Sequence, residues 1–274
     1  MKRTLLIALV ALFSQPVHAA ELIQVDVPEP SGIDHDRDGE RFFVVDDGGE
    51  LWVFDEDYNE IDVFDLGGDL EGVDYLPVTD QLLIAVEGDE QLLLVDPDSG
   101  DVESVFDIPR TFQGRTILEE GGNGIETLTV VGRRIFVVNQ SFDYQDQADG
   151  SVLVELVILP DETLEIVDAH RLPILDVAGS FYFAPTREFF LLSDYGNRIH
   201  RLNLKALDSM PAGANVPPAF LHSFLVPGDN QEGICLVRGE LIIAQDSGDL
   251  YNAGSLQWLM SDAGQLGLSL QWAD

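Results

Sequence analysis

Leu70-Glu71-Gly72-Val73 is one of five versions of a single phrase. The others are Pro30-Ser31-Gly32-Ile33, Ile125-Glu126-Thr127-Leu128, Ala178-Gly179-Ser180-Phe181 and Gln231-Glu232-Gly233-Ile234, and each opens a similar block of apolar runs. The steps between Gly32, Gly72, Thr127, Gly179 and Gly233 are 40, 55, 52 and 54 residues. Recurrence of this kind marks a solenoid or a propeller, and intervals of this size suit a propeller blade carrying loop insertions.

Working outward from each phrase, a second strand is expected at Phe42 to Val45, Leu82 to Val86, Ile135 to Val138, Phe189 to Leu192 and Leu241 to Ala244. A third follows at Leu51 to Phe54, Leu92 to Val95, Val152 to Leu156, Ile199 to Leu202 and Leu256 to Met260. A fourth precedes the next phrase at Ile61 to Leu66, Val102 to Ile108, Leu164 to Leu172 and Phe220 to Val226. All are β-rich runs bounded by Gly, Asp, Asn and Pro. Leu22 to Val27 stands before Pro30 as those fourth strands stand before their phrases, so the N-terminal strand is expected to close the last blade. The reading is all-β: a five-bladed β-propeller of four-stranded antiparallel blades, which leaves no long unpaired edge. Gln265 to Trp272 is one strand more than that count needs.

Residues 1–19 read as a signal peptide: Lys2 and Arg3, an apolar run from Leu5 to Phe13, and Val17-His18-Ala19 as a small-residue cleavage site. Residues 20–274 then form a single domain, expected in the periplasm or secreted, with no transmembrane span and as a monomer. Cys235 is the only cysteine, so no disulfide forms within the chain. Its apolar neighbours Ile234 and Leu236 suggest a buried thiol.

Fifty acidic residues face 14 Lys and Arg, a net charge of −36. Such a field repels nucleic acid and anionic lipid and attracts cations. In an up-and-down blade, the connection into the innermost strand and the loop between second and third strands share one face. Glu71, Glu126 and Glu232, at the start of three innermost strands, are therefore expected beside the central channel. Glu87 and Asp246, which follow second strands, should point at the same mouth. Asp46, Asp47, Asn139, Gln140, Ser193 and Asp194 occupy equivalent places on other blades.

Like charges crowded at short range raise one another's pKa, and a hard cation relieves them. Ca2+ takes 6 to 8 oxygen ligands in flexible geometry, which carboxylates from different blades, carbonyls and water supply. The alternative is that the glutamates accept loop amide hydrogen bonds or pair with Arg198 or Arg115. Zinc does not fit, since His35, His170, His200 and His222 show no paired spacing. Asp34-His35-Asp36-Arg37-Asp38-Gly39 matches half of an EF-hand loop, but Val45 stands where the bidentate Glu belongs, so the run reads as a turn.

Two insertions, Pro109 to Gly124 and Asn139 to Ser151, enlarge the carboxylate face and are expected to wall a pocket with Phe112, Phe142 and Tyr144. The Pro-rich stretch from Ala206 to Ala219 falls on the other face and reads as a spacer. Ser180 and Ser193 lack visible His and Asp partners, and no Gly-x-Ser-x-Gly elbow or phosphate-cradling glycine loop occurs.

The ordered set Pro30 to Ile33, Asp69 to Val73, Asn123 to Leu128, Leu175 to Gly179 and Gln231 to Ile234 resembles the SdiA-regulated, YjiK-like exported proteins over nearly all of the chain. The resemblance implies a five-bladed propeller, distantly similar to NHL-repeat propellers, with a calcium site and no established activity. It matches Glu71, Glu126 and Glu232 to inner glutamates of that family and Glu87 to an acidic position after the second strand. Asn139-Gln140-Ser141 and Asp194-Tyr195 depart from the pattern. The expected function is a calcium-binding module that recognises a small molecule or protein at its acidic face. The alternative is a calcium-dependent hydrolase of the lactonase or phytase-like kind.

Overall fold

The computed structural model describes residues 21–36, 38–118, 124–140, 150–226, 228 and 230–256. The expected signal peptide, Phe142, Tyr144 and the tail from 265 to 272 lie outside the described residues. β1 (Glu21–Gln24) comes first. Blade 1 is β2 (Pro30–His35), β3 (Arg41–Asp46), β4 (Glu50–Asp55) and β5 (Glu60–Asp65), and blade 2 is β6 (Asp69–Leu76), β7 (Gln81–Glu87), β8 (Gln91–Val95) and β9 (Val102–Asp107). A small hairpin, β10 (Thr111–Phe112) and β11 (Arg115–Thr116), leads into blade 3: β12 (Ile125–Val131), β13 (Arg134–Asn139), β14 (Val152–Ile158) and β15 (Leu164–Arg171). Blade 4 is β16 (Val177–Phe183), β17 (Glu188–Ser193), β18 (Arg198–Asn203) and β19 (Leu221–Leu225), with a one-turn helix α1 (Leu204–Leu207) before its last strand. Blade 5 is β20 (Gln231–Val237), β21 (Glu240–Gln245) and β22 (Asp249–Ser255), completed by β1, which pairs antiparallel with β22 from Glu21 opposite Asn252 to Gln24 opposite Asp249. The protein is a five-bladed β-propeller closed by its N-terminal strand.

One strand differs from the sequence reading. The third strand of blade 5 is Asp249–Ser255, not Leu256 to Met260. Asp-Leu-Tyr-Asn-Ala-Gly-Ser carries too few large apolar residues to stand out, and the denser run just after it draws the eye instead.

Five apolar clusters sit one at each blade boundary. Each second strand is covered on both faces, which explains why it reads as an unbroken apolar run rather than an alternation. Along β3, Phe42 and Val44 enter the cluster shared with blade 5, while Phe43 and Val45 enter the one shared with blade 2. Cys235 is 1% exposed inside the blade 5–blade 1 cluster, and burial pushes its thiol well above the ordinary range.

The glycine in the repeated phrase has a steric cause. A Cβ on Gly72 would lie 2.6 Å from the Leu128 nitrogen, one on Gly179 2.6 Å from the Glu232 carbonyl, and one on Gly233 2.8 Å from the Ile33 nitrogen. Each inner strand thus presses its glycine onto the backbone of the next, around the ring and back to blade 1. Blade 3 holds Thr127 at this point, and its hydroxyl meets that of Ser180 on blade 4 at 3.0 Å.

Two residues beyond Gly32 and Gly72, side chains tie the same seams. Asp34 accepts the Tyr75 N–H at 2.7 Å, Asp74 accepts the Val130 N–H at 2.5 Å, and the two carboxyls hydrogen-bond to each other. Burial raises the pKa of both carboxyls, and for Asp74 the adjacent Asp34 raises it further. Asp74→Asn keeps one acceptor and one donor and is expected to change stability by less than about 0.5 kcal/mol. Asp74→Leu strands the Val130 amide and should cost about 1–3 kcal/mol by denaturant titration. Equal losses for both substitutions would contradict the role of the hydrogen bond to the Val130 amide.

Candidate metal centre

At one end of the ring axis, every inner strand breaks its pairing register within the repeated phrase. The shifts fall between Pro30 and Gly32, Leu70 and Val73, Ile125 and Thr127, Val177 and Gly179, and Gln231 and Ile234. A bulge re-aims the extra side chain. Here the bulges hold Ser31, Glu71, Glu126, Ala178 and Glu232, and all but Ala178 line a cavity of about 290 Å3 on the axis. Glu87, at the end of β7, and Asp246, after β21, line it as well.

The five sequence-predicted positions Glu71, Glu126, Glu232, Glu87 and Asp246 are therefore brought to one cavity. Glu29, Asp47 and Asp69 join them, making eight carboxylates among the described residues of the lining, with no Arg, Lys or His among those residues. Arg198 and Arg115 are not among the lining residues, so the expected alternative of an arginine partner has no counterpart at this mouth. Glu71 and Glu126 are each 8% exposed.

The electrostatic consequence is large. Burial, then Glu126, Asp47, Asp69 and Glu87, raises Glu71 to about 11. Burial, then Glu87 and Glu232, raises Glu126 well above the usual carboxylate range. Glu232 is raised to about 8 by burial and by Asp194, Asp176 and Asp246. Asp69 is raised by burial and by Glu87, with which it hydrogen-bonds, and Asp47 by burial despite the Ser31 hydroxyl it accepts from. Without a cation each of these groups holds its proton more tightly than a solvent-exposed acid does.

The tightest subset is Asp47, Asp69 and Glu71, which offer oxygens all within 4.8 Å of one another. Ca–O distances of about 2.3–2.6 Å allow two ligand oxygens of one ion to lie up to about 5 Å apart, so this trio fits a calcium ion. Donors that are all oxygen, with no imidazole or thiolate, suit a hard cation and not zinc.

Asp69 and Glu29 are not legible as candidates because they lie outside the repeated phrase. Asp69 is placed by its pairing with Glu87 across β6 and β7. The equivalent positions on other blades mostly serve the fold. Asp46 accepts the Glu50 N–H at 2.9 Å and the Trp52 indole N–H at 3.0 Å, and Asn139 accepts the Val152 N–H. Ser193 donates to the Leu175 carbonyl at 2.7 Å, and Asp194 accepts the Gln231 N–H at 3.0 Å. Gln140 lines the cavity.

Glu87 also accepts the Gly124 N–H at 2.7 Å, tying the end of the first insertion to the mouth. Phe112, expected to wall a pocket here, instead packs against the blade 2–blade 3 core. The EF-hand-like run is a turn: Asp36 accepts the Glu40 N–H at 2.8 Å and pairs with Arg41 at 3.3 Å, while Asp34 belongs to β2.

Fold and site together define a class: a five-bladed propeller with an acidic axial mouth. No family model matches the chain, and no curated protein does. Among solved structures, the chain is similar to a luciferin-regenerating enzyme at 8% identity and TM-score 0.53, covering 87% of this chain and 96% of that one. It is also similar to the WD40 β-propeller domain of Doa1 (8% identity, TM-score 0.47, 85% and 95% covered) and to the β-propeller domain of Myceliophteria thermophila Cps50 (11%, 0.43, 83% and 65%). At these identities the likeness extends to the fold alone. Among the described residues, no helix is long and apolar enough to cross a membrane.

Proposed function

We propose that this protein is an exported calcium-binding propeller whose ion, held at the axial mouth, presents a positively charged centre to a small molecule or protein ligand. The observation that carries the reading is the convergence, among the described residues, of eight carboxylates without one cationic side chain. Asp47, Asp69 and Glu71 would supply the nearest oxygens, with Glu87, Glu126, Glu232 and Asp246 within the same cavity. When bound, the ion supplies an electrophilic point and cancels the mutual repulsion of the acids. The cavity, about 290 Å3 and lined by polar groups, lies at the lower edge of the range of small-molecule sites, so a ligand meeting the ion there would be small or would present only part of itself. The resemblance to YjiK-like exported proteins favours the same assignment.

Calorimetric titration of chelator-treated protein is expected to show one calcium per chain. Glu71→Gln, which removes an oxyanion from the closest trio, should weaken binding by a factor of ten or more while leaving the fold intact. Undiminished affinity in both Glu71→Gln and Asp69→Asn would remove the reading. A panel of esters, lactones and phosphate esters assayed with and without the ion tests the hydrolase alternative. Calcium-dependent turnover would favour that alternative over a binding module.

A further inference from the structure

The face opposite the carboxylates carries a second candidate site. There the boundary between blades 2 and 3 opens into a cleft of about 700 Å3, lined by Leu76, Leu94, Val130, Ile135, Ile158 and Arg133 among others. This volume lies within the range of small-molecule sites, and its walls are apolar, as theirs are. Leu76, Leu94 and Val130 are only partly buried although they rest on the blade 2–blade 3 core, and Ile158 is 41% exposed.

The neighbouring boundary shows what such a cleft accepts. Between blades 3 and 4, the stretch after β18 fills the corresponding space. Leu204, Leu207 and Val216 are buried against Phe136 and Phe189, and Met210 packs on them. The stretch read from sequence as a spacer is thus a plug. Its carboxylate, Asp208, pairs with Arg134 at 2.8 Å. Arg133 and Arg134 are adjacent in the chain and serve opposite sides of blade 3. Arg134 lies over the Phe136 ring at 4.8 Å, on the plugged side, while Arg133 shares the open cleft with Ile135. Arg133 is exposed and has no acidic partner among the described residues, in a chain with 50 acids.

We propose that the blade 2–blade 3 cleft binds an apolar small molecule bearing one anionic group, with the apolar body on Leu76, Leu94 and Ile135 and the anion on Arg133. The plug is the pattern: apolar side chains seated in an inter-blade groove, and a carboxylate, Asp208, reaching the arginine at the start of β13, where Arg134 also pairs with Glu155 of its own blade at 2.6 Å. The site is independent of the ion at the other mouth. The net charge of −36 does not forbid an anion here. At physiological ionic strength the Debye length is about 8 Å, so the carboxylates on the far face are screened.

The test is calorimetric titration of the full chain with monomeric dodecanoate at physiological salt, with chelator present so that the axial mouth is ion-free. One dodecanoate per chain is expected, with dodecyltrimethylammonium binding more weakly. Arg133→Ala should weaken dodecanoate about fivefold, the upper range for a partly exposed ion pair. Ile158→Glu, at an exposed wall position, should reduce binding more than tenfold, with melting curves unchanged in both variants. The proposal is overturned by absence of saturable dodecanoate binding, by equal affinity in Arg133→Ala, or by preference for the cationic amphiphile. It is also overturned if the chain forms a dimer that Ile158→Glu dissolves and dodecanoate does not disturb.

Discussion

Saturating calcium is expected to raise the melting temperature of the chelated protein by about 8–16 °C at pH 8, and by only a few degrees at pH 5. An ion present at about a thousand times its dissociation constant stabilises the folded state by roughly 4 kcal/mol. Each kcal/mol moves the midpoint of a domain this size by about 2–4 °C. The pH dependence follows from the carboxyls at the mouth. Glu71 is raised to about 11 and Glu232 to about 8, above the 4.5 of an ordinary glutamate. In the ion-free protein, the stability these groups contribute is fully present below pH 4.5. It is lost as pH rises, through about 8 for Glu232 and onward toward 11 for Glu71. Ion-free protein should therefore weaken between pH 5 and 8 on account of these groups, and calcium should reverse the loss by displacing their protons. Scanning calorimetry at the two pH values, with chelator and with calcium, reads both halves. A calcium shift of equal size at pH 5 and pH 8 would place the ion somewhere other than this cluster.

Gly72→Ala should be among the most damaging single-methyl additions in the chain, costing about 3 kcal/mol and lowering the melting temperature by about 6–12 °C. The added carbon would meet the Leu128 nitrogen at 2.6 Å and the Thr127 Cα at 2.8 Å, both backbone atoms of a neighbouring inner strand. No flexible side chain is there to move aside, so relief requires separating blades 2 and 3. Thr127→Gly, at the blade where the ring already accommodates a side chain, should cost only about 1 kcal/mol through the lost hydroxyl contact with Ser180 and the added backbone freedom. A Gly72→Ala protein within 0.5 kcal/mol of the parent would show that the inner strands are not locked together by close approach.

The two predictions bear on neighbouring residues of one phrase, and this explains what could be read before the fold was seen. The recurrence is legible because four blades make the same close approach, met by Gly32, Gly72, Gly179 and Gly233, while blade 3 places Thr127 at the same point. Glu71, Glu126 and Glu232 were legible because they precede that fixed point. The bulges that turn them inward were not legible, since an extra residue in a strand leaves no mark in composition or spacing. Asp69 depends on its cross-strand pairing with Glu87, and Glu29 on the bend that leads into β2, so neither carries a local signal. Ala206 to Ala219 reads as a spacer because its buried apolar residues Leu207 and Val216 are few and widely spaced among prolines and small residues. Its role becomes apparent only beside Phe136 and Phe189 of two different blades.

Closure by β1 has a further consequence for the order of assembly. The first of the described strands, Glu21–Gln24, has its partner in Asp249–Ser255, among the last described residues to leave the ribosome. Blades 1 to 4 contain their own four strands and can form as the chain emerges, but the clasp cannot fasten until Asp249–Ser255 has been made. Bringing such distant segments together carries the largest loop-closure entropy in the molecule and belongs late in folding. A chain truncated before residue 249 would hold four finished blades and a dangling first strand, an open ring exposing sheet edges to its neighbours.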